Sequence, residues 1–399
     1  MGRRPIHPFP ARMAAGIALD VMAASNTPLR VLDPMAGSGT VLAVAREQGH
    51  RAFGVDVDPL AVVISRVWTS NLNAAETVDQ GRAVLREARE RFLTIRASEA
   101  YPDGSDAETR QFIRYWFDDY ARRQLYALSL SIGAVTNVAI RDALWCAFSR
   151  LIITKSAGAS LAMDLAHSRP HRKYDRAPAK PFSHFEKAVS VVAENCSTNA
   201  DKVGPPVDVC LGDARHLELG DDSIDLVVTS PPYLNGIDYL RCSKFSLVWM
   251  GYTVAYLRGI RGESVGAESG YRDDEGRKFT AQTLRDLKLG SSLSPRKAAI
   301  LGRYALDMHR AVAEVGRVLV PGGRAVYVIG ESKNSGVYIR NSAIIRSAGL
   351  AAGLEFVTSN SRNLPPNRRY MPPPRKSDAG GMDARLRREL VIVLRKPAA

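Results

Sequence analysis

Cysteine is scarce. Four cysteines occur in 399 residues, at positions 146, 196, 210 and 242, and none stands in a Cys-x-x-Cys spacing. That pattern excludes a disulfide framework and a zinc site, and it sets a reducing cytoplasm as the expected location, with no metal. No apolar stretch approaches the roughly 20 residues needed to span a bilayer. The start, Met1-Gly2-Arg3-Arg4-Pro5, is basic but leads into no apolar signal segment, so no membrane partner is expected. No internal repeat is visible. No Gly-Lys-Ser or Gly-Lys-Thr follows a glycine turn, which excludes a P-loop. Acidic residues are the minority: 41 Asp and Glu against 55 Lys and Arg give a net charge of +14. A surface of that sign favours a polyanion.

What is present begins with an apolar strand pattern at Val31-Leu32, followed by Asp33-Pro34-Met35-Ala36-Gly37-Ser38-Gly39-Thr40 and a helix pattern through Glu47. Glycines before a helix N-terminus let a ligand approach bare backbone. The next strand, Ala52 to Val55, ends in Asp56-Val57, roughly 20 residues beyond the glycines, where an acid can meet ribose hydroxyls in a doubly wound sheet. A dinucleotide fingerprint would want a third glycine where Leu42 stands. The loop therefore suits a nucleoside ligand without phosphates, for which S-adenosyl-L-methionine (SAM) is the candidate cofactor.

A second loop follows the apolar run Ile224 to Val228, which reads as a buried parallel strand. It runs Thr229-Ser230-Pro231-Pro232-Tyr233. Consecutive prolines leave carbonyls but few N–H donors, so the loop is a poor phosphate cradle and a good acceptor for a planar amino group. Tyr233 is placed to lie against a flat ring. An exocyclic amine on a nucleobase meets both requirements.

On these residues the chain resembles the SAM-dependent amino-methyltransferases of DNA. His7-Pro8-Phe9-Pro10-Ala11-Arg12-Met13 resembles their cofactor-flanking motif, and Asp33 to Thr40 their methionine-binding loop. Asp56 resembles the ribose-binding acid, Gly212-Asp213-Ala214 the adenine-contacting segment and Ser230 to Tyr233 the catalytic loop. Val318 to Gly330, with Pro321-Gly322-Gly323, resembles a late turn and strand of that fold. The resemblance implies an α/β fold with a doubly wound, mostly parallel seven-stranded sheet. It also implies cofactor contacts at Phe9, Asp33, Pro34, Ala36, Gly37, Ser38, Gly39, Thr40, Asp56, Val57, Asp213 and Ala214. Catalytic roles fall on Ser230, Pro231, Pro232 and Tyr233. Serine at the first position of that loop is more typical of cytosine-N4 enzymes, whereas adenine enzymes more often carry Asp or Asn.

The expected organisation is discontinuous: a catalytic domain from 1–75 and 207–399, interrupted by a helical insertion over 76–206 that bears on target recognition. Aromatic and leucine spacings of three and four between Thr109 and Thr154 predict helices with a shared core. Arg169, Arg172, Lys173 and Arg176 sit among prolines, and Arg368 and Arg369 sit in a second proline-rich stretch; both are candidate phosphate contacts. Residues 251–294 are rich in glycine and mixed charge and predict a flexible loop. Helix pattern resumes at Pro295 and runs through Arg317. Glu389 to Lys396 predicts the antiparallel strand at the edge of the sheet.

The function expected is methyl transfer from SAM to the exocyclic amine of a base flipped out of double-stranded DNA, at cytosine N4, in a restriction–modification pair with a cognate endonuclease or alone. Ring-carbon methylation of cytosine needs a nucleophilic cysteine after proline; Cys242 follows Arg241 and Cys196 follows Asn195, which excludes it. Adenine N6 and the guanine N2 of tRNA or rRNA remain alternatives, as does a non-catalytic nucleic-acid-binding module. The RNA enzymes usually place Asn before the prolines. The inert module would have lost the glycines or Tyr233.

Overall fold

A computed structural model of the chain describes residues 5–9, 13–155, 157–163, 165, 170–196, 204–234, 239–267, 274–289, 292–334, 337–363 and 388–398. Its strands are β1 (Arg30–Asp33), β2 (Arg51–Asp56), β3 (Val207–Leu211), β4 (Ile224–Thr229), β5 (Leu319–Gly330), β6 (Ser332–Asn334), β7 (Val337–Ile339), β8 (Glu355–Asn363) and β9 (Arg388–Arg395). Seven of them form one sheet in the order β3-β2-β1-β4-β5-β9-β8, and β6 pairs with β7 in a separate ribbon. The five strands from β3 to β5 are parallel, while β9 runs antiparallel to both of its neighbours.

Alternation along each strand explains the layering. Val31, Leu226, Val228 and Val326 point to one face, where they pack with helices Ala15–Met22 and Thr40–Glu47. Leu32, Val227, Ala325 and Tyr327 point to the other, against helices Pro295–Val318 and Asn341–Ala351. Both faces are covered, so the strands read as nearly continuous apolar runs. Leu32 and Val227 are fully buried, and each such side chain contributes roughly 1.5–3 kcal/mol by burial. That core holds the ends of β1 and β4 side by side.

The insertion forms a helical layer. Four of its helices begin at a residue whose side-chain oxygen accepts a first-turn N–H: Asn73, Asp106, Asp118 and Asn137. Phe117, Leu125, Leu128, Leu144, Phe148 and Leu151 are buried at the spacing the sequence predicts, whereas Tyr120 is half-exposed. Their apolar cluster also takes in Leu60 and Ile64 of helix Pro59–Trp68 and Phe245 of helix Tyr239–Leu247. The layer therefore shares its core with helices of the sheet domain.

Two expectations are corrected. The terminal strand β9 is antiparallel, but it lies inside the sheet, and β8 is the edge. β8 carries Thr358, Ser359, Asn360, Ser361 and Arg362 and is largely exposed, a polar composition that protects an edge and hides it from a search for apolar strands. Residues 251–294 carry two helices, Val254–Glu263 and Asp274–Asp286, in place of a loop. Gly259 and Gly262 weaken the first by propensity, but Thr253 caps it and Val254 and Leu257 are buried beneath it. Tertiary packing outweighs composition there.

Candidate functional site

β1 and β4 are adjacent, and the chain order reverses between them, so their carboxyl ends open a crevice at the topological switch point. The glycine loop leaves β1 and the Ser-Pro-Pro-Tyr loop leaves β4. A direct bond ties the two exits: the buried Thr229 hydroxyl donates to Asp33 Oδ1 at 2.7 Å. Met35 N–H donates to the same oxygen at 3.1 Å. Asp33 is only 3% exposed. Burial pushes its carboxyl up to about 7, against those two hydrogen bonds and with the nearby Asp56 charge adding to the rise.

The glycine loop is built around Asp56. Gly37 N–H donates to Asp56 Oδ2 at 2.7 Å, and Asp58 N–H donates to Oδ1 at 2.9 Å. Ala36 N–H meets Val55 O at 2.9 Å, and Ser65 Oγ donates to Gly37 O at 2.9 Å. Gly39 has φ +79°, a left-handed turn, and a β-carbon there would fall 2.9 Å from Ser65 Cα; side chains are excluded on both counts. Ser38 and Thr40 are buried, and the Thr40 hydroxyl has no partner among the described residues. Phe9 is buried over the loop, its Cε1 3.7 Å from where a β-carbon of Gly37 would stand. Pro34 opens the turn after β1, and Val57, half-buried, follows Asp56.

Gly212 N–H donates to Asp56 O at 3.0 Å, which brings the Gly212-Asp213-Ala214 turn beside Asp56. The Asp213 side chain is engaged elsewhere. Arg215 donates to both its oxygens, with Nη2 at 2.6 Å, and also reaches the fully buried Asp307 at 2.6 Å and Glu263 O at 2.6 Å. Burial alone would raise the Asp213 carboxyl, but the hydrogen bonds from Arg215 outweigh it and hold it below its ordinary range. Arg215 is absent from the sequence reading although it stands two residues from Asp213; Asp307, 92 residues from Arg215, meets it only through the fold.

In the second loop Ser230 is half-buried and Pro231 buried, and among the described residues neither the Ser230 hydroxyl nor the Pro231 carbonyl has a hydrogen-bond partner. The Pro232 carbonyl is held: Tyr304, fully buried in helix Pro295–Val318, donates its hydroxyl there at 3.0 Å. Tyr304 lies 72 residues from Pro232 in the chain, so no local pattern could have found it. The Tyr233 ring lies against Gly330 at the end of β5, where a β-carbon would stand 2.7 Å from Cε2, and its hydroxyl is 3.5 Å from Glu389 Oε1. Tyr304→Phe removes the only donor described for a half-buried carbonyl, and a hydrogen bond of this kind contributes about 0.5–1.5 kcal/mol. Urea unfolding should register that loss; a variant as stable as the parent would mean that water replaces the hydroxyl.

Asp58 caps helix Pro59–Trp68 through Leu60 N–H at 2.9 Å and accepts from the Ser243 hydroxyl. Burial pushes its carboxyl up to about 7. The unfolded group titrates near pH 4, so the folded chain binds this proton more tightly. The resulting stability is complete below about pH 4 and is lost as pH rises through about 7. Asp58→Asn keeps the cap acceptor and presents an amide to Ser243 without a charge. It should flatten that fall, and a melting series in which the gap between parent and variant is the same at every pH would contradict the assignment.

The predicted nucleic-acid residues lie elsewhere. Arg172, Lys173 and Arg176 are exposed on the helical layer, with Lys173 N–H bonded to Leu161 O at 2.9 Å. Arg169, Arg368 and Arg369 fall outside the described residues. Among the described residues no group of His, Cys, Asp or Glu is placed to hold a metal ion, and no helix is long and apolar enough to cross a membrane.

No family model matches the chain. Over 247 residues it is 24% identical to the Type II methyltransferase M.AvaI of Nostoc sp. strain PCC 7120, and equally to that of Anabaena variabilis, covering 56% of this chain and 48% of each relative. The chain thus spans about half the length of these curated relatives. Among solved structures it is similar to a SAM-dependent methyltransferase of Methanosarcina mazei, at 9% identity over 95% of this chain and 98% of that one, with a TM-score of 0.34. A Thermus thermophilus protein named as a candidate DNA modification methylase, in complex with SAM, matches at 21% identity over 47% of this chain and 54% of that one, with a TM-score of 0.25. Overlays this loose carry no residue correspondence. By its own strand order, with β9 reversed between β5 and β8, the chain has the seven-stranded, doubly wound architecture of the class I SAM methyltransferases.

Proposed function

We propose that this chain is a SAM-dependent methyltransferase that modifies the exocyclic amine of a base in double-stranded DNA, at cytosine N4. The observation that carries the reading is the Thr229–Asp33 hydrogen bond, which fixes the glycine loop and the Ser-Pro-Pro-Tyr loop on neighbouring strand ends. The residues present fit the cofactor. Asp33 to Thr40 contains no Lys or Arg to meet a phosphate, Gly37 and Gly39 carry no side chain, and the Asp56 carboxylate, which accepts from Gly37, Asp58 and Val57, has about four acceptor sites. Asp56 would hold the ribose and the Asp33–Thr40 loop the methionine end. The turn at Asp213 and Ala214 would meet the adenine through its backbone, since Arg215 occupies the Asp213 carboxylate.

SAM supplies an electrophilic methyl group on a sulfonium. The chain's part is to present the nucleophile. A paired amine is out of reach in the duplex, so the base must be flipped out. Tyr233 stacks on it, and Pro231 O and the Ser230 hydroxyl accept from the amine, drawing its lone pair out of ring conjugation and turning it toward the glycine loop that would hold the methyl donor. With SAM held at the glycine loop, the methyl group would pass to this nitrogen as its bond to sulfur broke, the electron pair staying with sulfur. The proton made acidic on nitrogen leaves to solvent, so Ser230 need not be a strong base. Positioning supplies much of the rate. The curated relatives are named Type II methyltransferases and one similar structure is named a candidate DNA modification methylase, which supports DNA as the polymer; a restriction–modification role with a cognate endonuclease is part of the same proposal. The test is nucleoside mass spectrometry after incubation with SAM and either duplex DNA or tRNA. N4-methylcytosine in DNA is the expected product; methylated guanine in tRNA, or no modified nucleoside in either, refutes the reading.

A further inference from the structure

Helix Ala107–Trp116 of the helical layer has no part in the chemistry above, yet its outward side carries Arg110, Gln111, Arg114 and Tyr115, all exposed. Its own acid, Glu108, is engaged by Arg258. Arg110 and Arg114, one turn apart, border a cleft of about 600 Å³ that also takes in Ser98, Ser105, Asp119 and Arg122. Arg122 is 4% exposed, and its Nη2 bonds Ala97 O at 2.7 Å and Asp119 at 2.8 Å. Its Nε–H is buried with no partner among the described residues. The Tyr101 ring sits within 5.6 Å of the Arg110 guanidinium and 5.2 Å of the Arg122 guanidinium, which stiffens both. Among the residues that line the cleft three guanidinium groups stand against one carboxylate, beside the Ser98 hydroxyl, the Ser105 hydroxyl being given to Pro102 O; guanidinium and hydroxyl donors match a phosphodiester.

On the helix's other flank Arg172 lies over the Tyr115 ring at 5.5 Å. The helix also packs on the next described helix after the Ser-Pro-Pro-Tyr loop. Phe112 and Trp116 meet Phe245 edge-on at 5.1 and 5.0 Å, and Phe245 belongs to helix Tyr239–Leu247, the first helix after Tyr233.

We propose that this helix face is the docking surface for the sugar–phosphate backbone of duplex DNA, with one phosphate seated in the arginine cleft and Tyr115 and Arg172 making the neighbouring contact. Docking there sets the register of the duplex against the Ser-Pro-Pro-Tyr loop through the Phe112–Phe245–Trp116 cluster. The inference rests on the DNA reading above and deepens it by naming where the polymer lies. Its test is fluorescence anisotropy of a labelled duplex over a salt series, with the parent chain, R110Q/R114Q and Y115A, each checked by calorimetric SAM binding. The arginine pair should lose about tenfold or more in affinity, with a log–log salt slope shallower by about two and unchanged SAM affinity. Y115A should weaken binding with no comparable change in slope. Affinity and slope equal to the parent's in R110Q/R114Q would overturn the surface while leaving the methyltransferase reading intact. A parent chain that binds SAM but no duplex would defeat the DNA reading itself, and tRNA binding lost in the arginine variant would reassign the cleft to RNA.

Discussion

Tyr233→Ala should lose methyl transfer by about two to three orders of magnitude while binding SAM within about twofold of the parent. Two effects combine. Stacking of a base on an aromatic side chain is worth about 1–3 kcal/mol, roughly 5- to 150-fold. Loss of the near-attack geometry adds up to about 100-fold more. The geometry makes a finer expectation available. The ring rests on Gly330, and its hydroxyl is 3.5 Å from Glu389, the outer limit of a useful hydrogen bond. Tyr233→Phe should therefore keep activity within a few-fold. Gly330→Ala should not, because its β-carbon would occupy the 2.7 Å gap to Cε2 and push the ring off its seat. Incorporation of labelled methyl groups into DNA measures all three, with melting curves to confirm folding. Full turnover by the alanine variant would remove Tyr233 from the chemistry. A phenylalanine variant as dead as the alanine one would shift the role from the ring to the hydroxyl.

The glycine loop and its acid were legible because their constraints are local. Asp33, Gly37, Gly39 and Asp56 stand at spacings dictated by a strand, a turn needing left-handed φ, a helix and the next strand. The Ser-Pro-Pro-Tyr loop was legible for the same reason, at the end of an apolar run buried on both faces. The strand reversal at β9 followed from the resemblance, but its inner place did not, since the partner that covers it, β8, is written in serine, threonine and asparagine. The helices within 251–294 were hidden by glycines that packing tolerates. Partners that cross the fold left no trace in any window of sequence: Tyr304 on Pro232, Asp307 on Arg215, Ser243 on Asp58. Pairwise chemistry of this kind appears only once the sheet has brought distant segments together. It decides which of the predicted site atoms remain available. Asp213 gives its carboxylate to Arg215, while among the described residues the Ser230 hydroxyl and the Pro231 carbonyl have no hydrogen-bond partner.

Asp56→Ala should abolish measurable SAM binding, and this is the larger of the two expected losses because one carboxylate serves two ends. It accepts Gly37 N–H at 2.7 Å and Asp58 N–H at 2.9 Å, so truncation unties the glycine loop in addition to removing the proposed ribose acceptor. Hydrogen bonds to a charged group are each worth about 1.5–3 kcal/mol, and losing two or more of them corresponds to a fall of at least about 100-fold. A simple loss would not separate the two ends. A cycle does: calorimetry of S-adenosylhomocysteine and its 2′-deoxy analogue against the parent and Asp56→Asn, a milder change that keeps one acceptor oxygen. If the carboxylate holds the ribose, deleting the 2′-hydroxyl costs the parent about tenfold or more and costs the variant much less, because the partner is already impaired. Equal penalties in both proteins would confine Asp56 to bracing the Gly37 turn and leave the ribose to another group. Affinity for the intact nucleoside unchanged in Asp56→Ala would go further: it would mean that the crevice between β1 and β4 does not take its ligand at the end of β2, and the cofactor assignment would fall with it.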